Sequence, residues 1–227
     1  MAPVDVRWKF LPGMGLLVWV AVLLWPVNAT GQDQGPYQGL KDQKMVQKLK
    51  SFPHKANRWN VPPEDGRLLY DLILENGYRR VLEVGTSNGY SALWMGLALK
   101  QTGGELITIE IYAQRAREAE LNLKQAGLSE VVDVRLNDAL DEIPQIKGAF
   151  DMVFLDADKS QYLQYYRMLN DKISKGGAIT AHNVSNMGFA MDDFLKALRG
   201  DPQYETTIRR VSSRGVLIAR KIKEGEQ

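Results

Sequence analysis

The chain has 227 residues, 44% of them hydrophobic and 25% charged, with a formal net charge of +2. That length suits one domain of roughly 200 residues, large enough to bury a core without staples, and no basic block offers an electrostatic footprint for nucleic acid. Cysteine is absent, which excludes disulfides, thiolate metal sites and a cysteine nucleophile.

Arg7 and Lys9 precede an uncharged stretch from Phe10 to Gln32, whose apolar heart runs from Leu16 to Trp25. Pro26 ends it, and Val27-Asn28-Ala29 follows with a small residue last. A basic start, an apolar centre and a small-residue exit describe a secretory signal peptide. An uncleaved membrane anchor is the alternative, because an apolar run of about 20 residues can just span a bilayer. Either reading leaves the basic flank inside and the domain outside, exported or held at a membrane through residues 10–29. Residues 1–29 thus form a leader or anchor. Residues 30–39, rich in Gly, Gln and Pro, read as linker, 40–221 as the folded domain and 222–227 as a polar tail.

Within the domain, Leu40 to Phe52 and Glu64 to Glu75 read as helices, the second following Pro62-Pro63, which suit a helix start. Short apolar runs then mark strands buried on both faces: Val81 to Val84, Leu106 to Ile109, Val131 to Val134, Met152 to Leu155 and Ala178 to Ala181. Helical stretches separate them at Tyr90 to Lys100, Ala113 to Ala126, Ala139 to Ile143 and Gln161 to Ile173. Strict alternation predicts a parallel sheet with right-handed crossovers. A further helix, Met187 to Leu198, precedes two strands, Tyr204 to Val211 and Val216 to Lys221, joined by Ser212-Ser213-Arg214-Gly215. This predicts an α/β, Rossmann-like three-layer sandwich: a mostly parallel seven-stranded sheet that ends in an antiparallel hairpin.

The first strand runs into Glu83-Val84-Gly85-Thr86-Ser87-Asn88-Gly89-Tyr90-Ser91. Ligands of open α/β sheets bind at such a strand–turn–helix edge, where glycine permits left-handed dihedrals and close approach. The spacing is not the G-x-G-x-x-G of a pyrophosphate turn. Glu83 would repel a diphosphate and suits a ligand carrying an ammonium and a sulfonium, which argues against a nucleotide-linked oxidoreductase. Glu110 ends the second strand, where an acid accepts hydrogen bonds from ribose hydroxyls. Asp138 and Ala139 follow the third strand, where an adenine amino group needs an acceptor.

These segments, together with Phe154-Leu155-Asp156-Ala157-Asp158-Lys159 and Trp59-Asn60-Val61, resemble the cation-dependent O-methyltransferases, which include the catechol and caffeoyl-coenzyme A enzymes. The resemblance covers roughly Lys55 to Arg220. It implies S-adenosylmethionine as methyl donor, held by Val61, Glu83, Gly85, Thr86, Ser91, Glu110 and Ala139, with Asp138 and Asp156 completing the pocket. It implies Lys159 as general base, Asp156 beside it in catalysis, and a divalent ion, Mg²⁺ or Mn²⁺, on Asp156, His182 and Asn183. It also implies a small hydroxyl-bearing, aromatic acceptor and a homodimer. A methyl donor made in the cytosol conflicts with export, and both expectations stand.

Here the chain departs from the family pattern, which carries Asp-Asn after the fifth strand where this sequence has His182-Asn183. Mg²⁺ prefers oxygen ligands. A histidine nitrogen therefore shifts the preference toward Mn²⁺, Fe²⁺ or Zn²⁺, or turns away and leaves a weaker site. That departure keeps open a nonenzymatic donor-binding protein as the alternative. Asp158 reads as a helix N-cap. On the acceptor side, Trp59, Met187, Phe189 and Met191 are candidates for an apolar lining.

Overall fold

The computed structural model describes residues 35–52 and 60–222. Two helices, α1 (Gln43–Ser51) and α2 (Pro63–Asn76), precede an alternating series. It runs β1 (Arg80–Val84), α3 (Tyr90–Thr102), β2 (Glu105–Glu110), α4 (Ala113–Gln125), β3 (Val132–Leu136), α5 (Ala139–Gln145) and β4 (Phe150–Leu155). It continues through α6 (Tyr162–Leu169), β5 (Ile173–His182), α7 (Asp192–Gly200), β6 (Tyr204–Arg209) and β7 (Val216–Lys221). The strands form one seven-stranded sheet in the order β3-β2-β1-β4-β5-β7-β6. β1 to β5 are parallel, and β7 lies antiparallel between β5 and β6.

Alternation along each strand builds two cores. Val81, Leu106, Met152 and Phe154 face one way and pack with Leu49, Leu69 and Trp94 of α1, α2 and α3. Leu82, Ile107, Val153 and Leu155 face the other and pack with Ile143, Tyr162 and Phe194 of α5, α6 and α7. Period-two side-chain direction on a sheet covered on both faces thus yields three layers. α3 is buried at every position from Tyr90 to Leu99, so the helix that leaves the glycine turn is fixed by core packing.

Several boundaries differ from the sequence expectations. β5 starts at Ile173 rather than Ala178, because pairing with β4 continues across an irregularity between Phe150 and Met152. Gly176, with φ of +80°, is therefore inside a bulged strand, not ahead of one. The helix expected over Gln161 to Ile173 keeps its α-helical turns only at Tyr162–Leu169, flanked by 3-10 turns at Lys159–Gln161 and Asn170–Lys172. Likewise Gly188–Met191 forms a 3-10 turn ahead of α7. Residues 35–39, expected as linker, pack on the domain. The Arg67 guanidinium donates to the carbonyls of Pro36 and Gln38 at 3.2 and 2.5 Å, and Tyr37 stacks on Trp94. Among the described residues no helix is long and apolar enough to cross a membrane. The leader or anchor at 1–29, Trp59 and the tail beyond Ile222 lie outside the described residues.

Candidate functional site

The strand order reverses between β1 and β4, which makes the crevice at their carboxyl ends the topological switch point. Gly85, with φ of +100°, turns the chain there. A Cβ at this position would lie 2.4 Å from the Asp156 carbonyl oxygen, so only glycine lets the β1–α3 turn meet the β4–α6 turn. Ser87 and Gly89 also take positive φ, at 51° and 87°.

Two acids hold this turn from opposite sides. Glu110 is buried, and its carboxylate accepts from the Ser87 amide at 2.7 Å and the Tyr112 amide at 3.0 Å. It therefore ties the end of β2 to the strained Ser87. Glu83 has no exposed surface, which differs from the expectation of an acid facing the ligand. Its oxygens accept from the Ser91 hydroxyl and, at 2.6 Å, from the Thr108 hydroxyl. The Thr86 and Thr108 hydroxyls lie 2.5 Å apart. Burial pushes the Glu83 carboxyl up to about 8 against the pull of these hydroxyls. Glu83, Thr86, Ser91 and Thr108 thus form a closed polar network beneath the turn. Asp138 caps α5 by accepting from the Leu140 amide at 2.8 Å, and Ala139 is buried behind it. Val61 is buried just ahead of α2.

At the β4–β5 edge, Asp156, Lys159 and His182 come together, as the family resemblance implied. Lys159 Nζ donates to Asp156 Oδ1 at 2.7 Å and to the Tyr162 hydroxyl at 2.8 Å, and that hydroxyl in turn donates to the Leu155 carbonyl. His182, fully buried, places Nδ1 3.2 Å from Asp156 Oδ2 and Nε2 2.8 Å from Asp65 Oδ2. An ionised carboxylate oxygen only accepts, so with both acids ionised each ring nitrogen donates and the ring is an imidazolium. Burial alone would lower its pKa, but Asp156 and Asp65 hold it up at about 9. Conversely burial would raise the Asp156 carboxyl, and His182 and Lys159 hold it well below the usual range. The two shifts agree, since each group is the other's countercharge.

Asp65, on α2, was not foreseen. It is fully buried, and its Oδ2 also accepts from the Ser212 hydroxyl of the β6–β7 loop at 2.7 Å. Asn183, next to His182, adopts φ of 66°, and its amide donates to Asn186 Oδ1 at 3.4 Å.

This donor set does not fit a divalent ion. Both oxygens of Asp156 and both nitrogens of His182 are engaged, and a doubly protonated ring has no lone pair to give. Of the Asp65 carboxyl, only Oδ1 lacks a partner among the described residues. That oxygen and the Asn183 side-chain oxygen are fewer than a centre held by protein oxygens alone needs. Among the described residues no group of three His, Asp or Glu side chains is arranged to hold a metal. Of the metal set expected on Asp156, His182 and Asn183, Asp156 and His182 come together, with the histidine ring set between two carboxylates.

Beside Lys159 lies a cavity of about 290 Å³ with a mixed lining, in which Ser160, Asp192 and Asp193 stand beside Leu163, Phe189 and Met191. Of the expected apolar candidates it collects Phe189 and Met191 and leaves out Met187.

A glycine turn at the switch point, an acid gripping it from the next strand and a lysine–carboxylate pair across the crevice define a Rossmann-like site for a nucleoside-bearing ligand. The O-methyltransferase family model matches residues 38–212, and the chain belongs to that family. A catechol O-methyltransferase of Niastella koreensis is 37% identical over 138 residues, 59% of this chain and 62% of that protein. Caffeoyl-CoA O-methyltransferase 1 of Eucalyptus globulus is 27% identical over 192 residues, 74% of this chain and 77% of that protein. The solved O-methyltransferase from Bacillus cereus, in complex with SAH, matches with a TM-score of 0.69 at 28% identity, covering 79% of this chain and 89% of that one. The aligned stretch thus spans about three fifths of the catechol relative's length.

Proposed function

We propose that this chain transfers the methyl group of S-adenosylmethionine to a hydroxyl of a small aromatic acceptor. The observation that carries the reading is the juxtaposition of the Glu110-held glycine turn with the Asp156–Lys159 pair, 2.7 Å apart, across the switch-point crevice. The donor's nucleoside would lie over Gly85, with its ribose toward Glu110 and its adenine toward Asp138 and Ala139. The names of the relatives support an aromatic hydroxyl as acceptor.

Methyl transfer is an in-line displacement, for which positioning alone supplies several kcal/mol of the barrier reduction. The acceptor oxygen bonds to the methyl carbon, and the sulfur keeps the electron pair of the broken carbon–sulfur bond. The hydroxyl proton passes to Lys159 once that amine, paired with Asp156 at rest, has given up its own proton. Asp156 and the Tyr162 hydroxyl fix that amine where the acceptor oxygen would lie. No step is routed through a metal. The apolar segment at 10–29 supports export or anchoring, and a mature N-terminus at Thr30 would show cleavage.

The test is calorimetric titration with S-adenosylmethionine, followed by mass-spectrometric detection of methylated product from a panel of catechols. Lys159→Met is expected to bind the donor within about threefold of the parent and to lose at least roughly a hundredfold in kcat, the usual scale for a general base. Full turnover by that variant removes Lys159 from the chemistry. Donor binding with no turnover on any hydroxyl acceptor favours the nonenzymatic reading.

A further inference from the structure

We propose that His182 is a built-in cation standing where a divalent metal is expected in this fold, so that the chain holds no divalent ion at this centre and transfers methyl without one. The inference rests on the methyltransfer reading above.

Three observations carry it. First, the ring bridges two carboxylates from separate elements, Asp65 on α2 at 2.8 Å and Asp156 at the end of β4 at 3.2 Å. Drawing two acids onto one centre is what a metal does, and here the imidazolium does it. Second, the groups pair by geometry: His182 lies between Asp65 and Asp156, and Lys159 lies 2.7 Å from Asp156, so with the ring protonated and both pairs ionised two negative charges meet two positive ones. A divalent ion added to this buried neutral set would stand uncompensated, and unpaired buried charge is strongly disfavoured. An aspartate in place of His182 would instead leave the set at −2, which a divalent ion neutralises. Third, the bridge is supported from outside. Ser212 donates to the Asp65 oxygen that His182 also engages, so the β6–β7 loop holds Asp65 on the histidine.

His182 is thereby a positioning residue. It fixes the Asp156 carboxylate, which in turn holds Lys159 at 2.7 Å, and it ties α2 to the reacting edge.

The experiment uses the full chain, stripped with EDTA and titrated with Mn²⁺ under electron paramagnetic resonance detection, with S-adenosylmethionine titrated by calorimetry in parallel. The parent is expected to leave Mn²⁺ free into the millimolar range and to bind donor within twofold with or without EDTA. H182D is expected to take up one equivalent of Mn²⁺ at least tenfold more tightly and to melt higher when it is present. Where H182D folds only with Mn²⁺ added, that dependence is itself the expected gain. H182N, which removes the charge but adds no carboxylate, is expected to gain far less.

One equivalent of Mn²⁺ held by the parent at micromolar concentration overturns the proposal, as does an H182D that binds no more Mn²⁺ than the parent. Failure of the parent to bind S-adenosylmethionine is a separate result. It removes the methyltransfer reading and leaves the metal comparison to stand or fall alone.

Discussion

Asp65 offers the sharpest test of how the site is held together. Asp65→Ala removes the carboxylate at His182 Nε2, 2.8 Å away, with both side chains fully buried. Stripping one partner from a buried ion pair costs about 3–5 kcal/mol. Loss of the Ser212 hydrogen bond adds about 1 kcal/mol. For a chain of this size each kcal/mol moves Tm by roughly 2–4 °C, so a fall on the order of 8–24 °C is expected. Ser212→Ala alone should cost only about 1 kcal/mol and isolates that part. The dependence on pH is the second signature. His182 is held above its ordinary 6.5, at about 9. Its proton therefore stabilises the fold fully below 6.5, and that contribution is lost as pH rises through about 9. The stability gap between the parent and Asp65→Asn, measured by urea unfolding, should be wide at pH 6 and narrow at pH 10. A loss below about 1 kcal/mol for Asp65→Ala would refute the bridge, because that is the scale of an exposed ion pair. A gap of equal size at both pH values would refute the imidazolium.

The other expectations concern the turn and the acid limb. Gly85→Ala should weaken donor binding at least tenfold and lower Tm, because its Cβ meets the Asp156 carbonyl at 2.4 Å in a left-handed backbone; calorimetry and a melting curve together check this. Glu110→Gln exchanges a charged acceptor of two amides for a neutral one. It should cost about 1–2 kcal/mol and reduce donor affinity several-fold, since charge-assisted bonds are roughly twice as strong; unchanged affinity removes Glu110 from the donor site. Asp156 is held below its ordinary 3.8, so its contribution is present above that value and lost as pH falls beneath it. Urea unfolding of the parent and Asp156→Asn should accordingly converge in acid.

The sheet was legible because its strands are apolar at consecutive positions. Val81, Leu82 and Val84 are buried toward opposite layers, and runs of that kind between helical stretches leave few arrangements other than a covered parallel sheet. What composition could not show is where pairing persists through a glycine pair. Gly176-Gly177 reads as punctuation by its residue type, yet β5 runs through it, because backbone pairing depends on β4 opposite. The 3-10 turn ahead of α6 has a different origin, in side-chain bonds. Lys159 sits in helical spacing, but the Asp158 cap and the bonds to Asp156 and Tyr162 fix a tighter turn there.

The site was legible where function is local and hidden where it is made by distant packing. Gly85, Glu110 and Asp156 follow strand ends, and strand ends could be counted. His182 admitted several readings because its second partner is 117 positions away. A signal for that partner was nevertheless present. Asp65 shares one helical stripe with Leu68, Leu69, Leu72 and Ile73, all buried in α2, at the i, i+3, i+4, i+7, i+8 spacing of a core-facing surface. Position in the first turn alone is compatible with an acid serving the helix dipole. Position on the stripe required instead that the acid be buried, and a buried carboxylate needs a countercharge. Of the cations available to a cysteine-free chain with only two histidines, His182 is the one that replaces an expected acid at a strand end. Pairing the misplaced acid with the misplaced base would have predicted the bridge, and with it a centre whose charge is already balanced before any metal arrives.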